Sequence, residues 1–93
     1  MSPPMVFIFR GCPPPHLMAL ARWGFVVVSL SRCPRVEHVT DVRRYIEGRF
    51  VVIVGDRELA EELGVGHATV AEVDNFLRWL SKEVPALYKP YLQ

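Results

Sequence analysis

No uninterrupted apolar run in this chain exceeds five residues, far short of the roughly 18 to 20 that a membrane-crossing helix needs. The opening residues, Met-Ser-Pro-Pro, carry neither the basic stretch nor the long apolar core of a secretory signal. A cytoplasmic residence is therefore expected. There is no Gly-x-Gly-x-x-Gly and no Gly-x4-Gly-Lys-Ser/Thr, so the common backbone cradles for a dinucleotide or a nucleoside triphosphate are missing. A Cys-x5-Arg phosphatase loop is missing too, since the sixth residue is Met18 after Cys12 and Val39 after Cys33. His16, His38 and His67 fall in separate segments without the ligand spacing of a metal site. Neither a metal nor another cofactor is expected.

Side-chain amides are scarce, with one Asn and one Gln, and nine of the eleven basic residues are Arg. Few thermolabile amides suit a thermophilic source, although GC-rich codon usage also enriches Arg. The point bears on the two cysteines. In a mesophile's cytosol two cysteines are usually free thiols, whereas an intracellular disulfide is a real option in a hyperthermophile.

What is present is an ordinary soluble composition, 51% apolar and 23% charged over 93 residues, enough for one domain with one core. The net charge of +1 conceals an asymmetry. Residues 1–57 hold eight Arg against four acids, a balance of +4, and residues 58–93 hold three basic residues against six acids, a balance of −3. A basic half can meet nucleic acid or another anion, and opposed halves can meet each other in a self-assembly. Neither half has the dense basic cluster of a nucleic-acid module.

The chain is organised around Phe50-Val51-Val52-Ile53-Val54. Apolar on every residue and mostly β-branched, it reads as a strand buried on both faces, as in the middle of a parallel sheet. Met5–Phe9 and Phe25–Leu30 read likewise. Prolines 13 to 15 introduce a helix over about His16–Trp23, with Leu17, Leu20 and Ala21 inward and Gly24 as its left-handed stop. Ser31-Arg32-Cys33-Pro34 is expected to open a second helix, with Val36, Val39, Val42 and Ile46 as its inner stripe and Gly48 as its end. Asp56 caps a short third helix, Arg57–Leu63, which Gly64 closes. Val65–Ala68 is a connector or a short edge strand. Thr69-x-x-Glu72 has the form of a capping box, and Val73, Phe76, Leu77, Leu80 and Val84 follow at helical spacing until Pro85. The apolar tail, residues 87–92, is expected to pack back on the domain or on a neighbour.

The expected fold is thus a single α/β domain over residues 1–93. It is a small three-layer sandwich with a three- to four-stranded, mainly parallel sheet of Rossmann-like or flavodoxin-like topology. So small a sheet leaves an exposed edge, which makes a homodimer a reasonable expectation.

In open parallel sheets ligands bind beyond the carboxyl ends of the strands. The residues there are Arg10 and Cys12 after the first strand, Ser31, Arg32, Cys33 and Arg35 after the second, and Asp56 after the third. They form the candidate ligand-binding set. Three amide donors are lost to Pro13, Pro14 and Pro15, which argues against a phosphate cradle in the first loop. Ser31, Arg32 and Arg35 around an expected helix start make the second loop the better anion site. If the first two strands are neighbours, about 4.8 Å apart, Cys12 and Cys33 come within bonding range. A bridge there would contribute about 3 kcal/mol in the chain-entropy account. The leading reading is nevertheless two unbonded structural thiols, with the disulfide and a reactive Cys12, whose thiolate Arg10 and His16 favour, as the alternatives.

The stretch Phe7-Ile8-Phe9-Arg10-Gly11-Cys12-Pro13-Pro14-Pro15-His16 resembles the strand, Cys-x-x-Cys and helix start of glutaredoxin-like proteins. Pro15 stands where that family's second cysteine belongs, and no proline precedes the third strand to supply its cis-Pro. A complete acid–base, metal or phosphate-loop set is not legible. The expectation is a binding or regulatory domain acting through protein or anionic-ligand contacts at the carboxyl edge of its sheet, without catalysis of its own. A thiol-dependent redox protein using Cys12 is the alternative. A nucleic-acid accessory protein using Arg32, Arg35, Arg43 and Arg44 is a third, and no membrane role is expected.

Overall fold

The computed structural model describes residues 4–92, with side chains as far as Glu83. Five strands form one all-parallel sheet: β1 (Met5–Phe9), β2 (Val26–Ser29), β3 (Glu37–His38), β4 (Phe50–Val54) and β5 (Gly66–Ala68). Their order across the sheet is β3-β2-β1-β4-β5. The chain therefore winds outward from β1 in one direction and then, through β4, in the other. β1 and β4 pair over their full length, Met5 opposite Phe50 through Phe9 opposite Val54. The fully apolar reading of both strands has its cause in this central pairing, because each is covered on two faces.

On one face Phe7, Phe9, Val27 and Val54 pack under Leu17 and Leu20 of a 3₁₀ helix (Pro15–Trp23), with Val73, Leu77 and Leu80 of the last helix. On the other face Val6, Ile8, Val28, Val51 and Ile53 pack with Val39 and Ala60. That second face is covered by α1 (Val42–Tyr45) and α2 (Arg57–Leu63), while α3 (Val70–Leu92) lies on the first. Three layers result, as the alternation of apolar strands and helices requires. Among the described residues no helix is long and apolar enough to cross a membrane.

Three local readings of the sequence need correction. The first crossover is a nine-residue 3₁₀ helix. It opens with the Leu17 amide bonded to the Pro14 carbonyl, an i to i−3 bond. Pro15 at the helix's first position lacks an amide that would be unpaired there in any case, so the prolines fix where the helix starts and not its 3₁₀ form. Secondly, no helix starts at Pro34. Cys33 to Val36 form a tight turn, Glu37–His38 pair with β2 as an edge strand, and only Val42–Tyr45 is helical. Val36 and Val39 suit extended backbone better than helix. Asp41 then caps a separate turn by accepting from the Arg44 amide at 3.3 Å. The apparent stripe at i, i+3 and i+6 was an edge strand followed by a turn: Val39, just past β3, is buried, and Val42 in α1 is half-buried. Thirdly, α3 continues through Pro85, where the sequence predicted its end. How the tail's side chains pack lies outside the described residues.

Both edges of the sheet are short: β3 has two residues and β5 three. That limits the unpaired backbone an edge offers to another chain.

Candidate functional site

The rim at the carboxyl ends of the strands is built from the loops after β1, β2 and β4, which parallel pairing brings side by side. Phe9 lies opposite Ser29 on one flank and Val54 on the other. The next backbone bonds continue the ladder past the strand ends, from the Arg10 amide to the Val54 carbonyl and from the Leu30 amide to the Phe9 carbonyl, both 2.9 Å. The three loops therefore leave the sheet in register. Arg10, Cys12, Ser31, Arg32, Cys33 and Asp56 all belong to this rim, with Arg35 at the turn beyond Cys33.

Cys12 and Cys33 are bonded to each other, with their Cα atoms 5.6 Å apart. Of the three readings of these residues the disulfide holds, and its sulfurs come from adjacent strands rather than from a Cys-x-x-Cys. Cys12 is exposed and Cys33 half-buried. The bond is one of several ties between the two loops. Ser29, fully buried, donates its hydroxyl to the Gly11 carbonyl at 2.8 Å and accepts from the Ser31 amide at 2.9 Å. Ser31 in turn donates to the Arg10 carbonyl at 2.8 Å. Ser29 escaped the sequence reading. Its one signal was a lone hydroxyl near the end of an apolar strand, where a buried polar group must find partners.

The arginines divide by their surroundings. The Arg10 Nε lies 3.7 Å from an Asp56 carboxylate oxygen, and the same Asp56 caps α2 by accepting from the Leu59 amide at 3.0 Å. Gly55, at φ 91°, turns the chain between β4 and this cap, where an L side chain would be strained. Arg32 and Arg35 are exposed, and no ion pair is found for either among the described residues. Arg35 has φ 62°. It sits third in the Cys33-Pro34-Arg35-Val36 turn, closed by the Val36 amide on the Cys33 carbonyl at 3.4 Å. After Pro at the second position, the third of such a turn ordinarily takes Gly or Asn. The anion site expected at a helix start is therefore a tight turn with a strained arginine at its tip. Of the arginines considered for nucleic acid, Arg43 is paired with Glu62 at 3.1 Å across α1 and α2.

A second polar cluster went unforeseen. His16 Nε2 lies 2.7 Å from one Asp74 oxygen, and Arg78 Nε lies 3.0 Å from the other. The His16 hydrogen bond, seconded by the charge of Arg78, holds the Asp74 carboxyl below the usual carboxylate range. His16 therefore faces α3, and its expected partnership with Cys12 gives way to this one. Glu72 is likewise lowered, chiefly by bonds at Thr69. The Thr69 amide reaches the Glu72 carboxylate at 2.9 Å and the Glu72 amide reaches the Thr69 hydroxyl at 3.0 Å, a complete capping box. His38 Nε2 lies 3.1 Å from the Leu30 carbonyl oxygen and so ties β3 to the loop after β2. Among the described residues no group of three His, Cys, Asp or Glu side chains is placed to hold a metal ion.

Compared with known proteins, the chain matches no family model, no curated protein and no solved structure.

Proposed function

We propose that this domain works by binding, receiving an anionic ligand or an acidic protein surface on the rim carried by Arg10, Arg32 and Arg35. The observation that supports it best is Arg35 at φ 62°. Residues held in strained backbone cluster at sites where a side chain has a task. The disulfide and the Ser29 and Ser31 hydroxyls hold the base of that turn, so the cation is presented by a stiff support and little ordering is needed on binding. Arg10 faces Asp56, while Arg32 and Arg35 have no ion pair among the described residues, so a ligand meets those two without displacing a counter-charge.

Amide chemical shifts followed during titration with inorganic pyrophosphate, and separately with an acidic peptide, test this reading. Shifts confined to residues 10–12, 31–36 and 55–57, and lost in Arg32→Ala/Arg35→Ala, are the expected result. Silence of those residues toward both probes overturns it, and so does robust turnover on a hydrolase or reductase panel. Retention of nucleic acid that weakens steeply between about 50 and 200 mM salt would instead favour the nucleic-acid reading.

Self-association is a compatible second reading. Phe50 and Trp79 are 61% and 54% exposed, and Trp79 stacks on Phe76 with ring centroids 6.2 Å apart. Beside them Met5, Phe7, Val52 and Phe76 line an apolar hollow of about 250 Å³. Large apolar side chains gathered this way favour a protein interface, and a homodimer would cover them. Sedimentation of the wild type against Phe50→Ser/Trp79→Ser tests it, with a dimer lost in the variant as the expected outcome. A Cys–Cys bond within one chain also accords with an intracellular residence in a thermophilic source.

A further inference from the structure

We infer that Cys12–Cys33 is an exchangeable disulfide. Cys12 is the sulfur that an external dithiol attacks, and opening the bond frees the Arg35 turn while leaving the sheet intact. The inference does not depend on what the rim binds.

Three observations carry it. Access is unequal, because Cys12 is exposed on the loop after β1 whereas Cys33 is half-buried at the base of its turn. Exposed disulfides are the labile ones, and exchange begins at the sulfur a thiolate can reach. Secondly, the bond is redundant for the frame and not for the turn. Residues 10–11 and 29–31 stay joined through the Ser29 and Ser31 hydroxyls, and β1 keeps its ladder to β2. Residues 33–36, by contrast, are held by the sulfur, by one closing bond of 3.4 Å and, only through the two-residue edge strand beyond them, by the Val39 amide on the Ser29 carbonyl and the His38 ring at the Leu30 carbonyl. Thirdly, the thiols of the open form have acceptors at hand. Cys33 Sγ lies 3.5 Å from the Ser31 carbonyl oxygen and 3.6 Å from the Ser29 hydroxyl. Cys12 Sγ lies 3.7 Å from the Arg32 carbonyl oxygen.

The exchange balances as follows. One thiolate of the dithiol attacks Cys12 Sγ, a new S–S bond forms there, and the Cys12–Cys33 bond breaks with its electron pair on Cys33. Cys33 leaves as a thiolate beside the Ser29 hydroxyl and takes a proton from water. The dithiol's second thiolate then attacks the dithiol's own sulfur in the mixed disulfide and releases Cys12 as a thiolate, which also takes a proton from water. The dithiol is oxidised to its disulfide, and the protein gains two electrons and two protons. Strain at Arg35 favours the open form, since a freed turn need not keep φ positive.

The test uses the full chain in its disulfide form. It is exposed to glutathione, quenched in acid and mapped by mass spectrometry, and in parallel it is reduced with about 10 mM dithiothreitol, alkylated and followed by amide hydrogen exchange. The mixed disulfide is expected on Cys12 in about tenfold excess over Cys33. After reduction, protection at residues 36–39 is expected to fall about tenfold, while residues 6–9 and 51–54 stay within about twofold. Cys33→Ala should reproduce the reduced exchange pattern without any reductant. An adduct mainly on Cys33 overturns the inference. So does a bond that resists reduction until the sheet unfolds, or a loss of protection that spreads through β1 and β4.

Discussion

Arg10 and Asp56 face each other across the point where the sheet changes its direction of winding. Nε and carboxylate oxygen are 3.7 Å apart, and the Arg10 side chain is 64% exposed. In sheets of this kind the crevice between the two diverging loops is where a ligand is ordinarily received. Here an arginine and a helix-capping aspartate stand in it. A ligand entering would meet a cation whose counter-charge is already engaged by the Leu59 amide, so displacing Asp56 from Arg10 need not uncap α2.

The first prediction separates these two duties of Asp56. An ion pair this exposed contributes little to stability, whereas a helix cap contributes about 1 kcal/mol. Asp56→Asn keeps a capping oxygen and loses the charge, and should lie within about 0.5 kcal/mol of wild type in chemical denaturation. Asp56→Ala loses both and should cost about 1 kcal/mol. Equal losses in the two variants would make the charge, and not the cap, the important element.

Ser29 gives the second prediction. Its hydroxyl is wholly buried and serves the Gly11 carbonyl and the Ser31 amide together. Ser29→Ala strands both partners beneath the rim and should destabilise by about 1 to 3 kcal/mol. Reduction of the disulfide in that variant should then loosen residues 10–12 as well, because the redundancy of the frame is gone. Hydrogen exchange in the reduced variant reads this directly.

The sheet was legible because β1 and β4, and β2 as far as Val28, are apolar on consecutive residues, which a strand covered on both faces asks for. The proximity of Cys12 and Cys33 followed from the same reasoning, since similar offsets, three and four residues past the register partners Phe9 and Ser29, land on one rim. The stretch from Ser31 to Gly48 misled for a physical reason. Val36, Val39, Val42 and Ile46 mimic a helical stripe, yet the first two flank a two-residue edge strand and the last two open and cap one helical turn. Local hydrogen bonding there outweighs periodicity. The pairing of His16 with Asp74 had no sequence signal at all. The two lie 58 residues apart, and their meeting depends on where α3 crosses the 3₁₀ helix.

Acid should expose that pairing. Asp74 and Glu72 both have folded-state pKa values below their ordinary ones, the first chiefly through the His16 hydrogen bond and the second through the bonds at Thr69. A depressed carboxylate contributes stability that is complete above its unfolded pKa and is lost as pH falls through the folded one. The loss therefore begins near pH 4.5 for Glu72 and 3.8 for Asp74, their ordinary values, and deepens below. Glu72→Gln and Asp74→Asn should each flatten the acid limb of a plot of denaturation midpoint against pH, and His16→Ala should flatten the Asp74 share alone. An unchanged acid limb in all three would assign acid lability to other carboxyls.

The turn at Arg35 poses stability against function. An L residue in the left-handed region costs about 1 kcal/mol or more, and glycine removes that cost while adding about 0.5 to 1 kcal/mol of unfolded-state entropy. Arg35→Gly should therefore be neutral to slightly stabilising, with a melting temperature unchanged or raised by up to a few degrees. Arg35→Ala relieves nothing and should not rise. If the cation is the reason for the strain, both variants weaken binding of pyrophosphate or an acidic peptide, and Arg35→Lys recovers much of it. A glycine variant that binds as well as wild type, or one that loses more than about 1 kcal/mol, would mean that the arginine side chain serves the fold. The strain would then need a cause in packing instead of recognition.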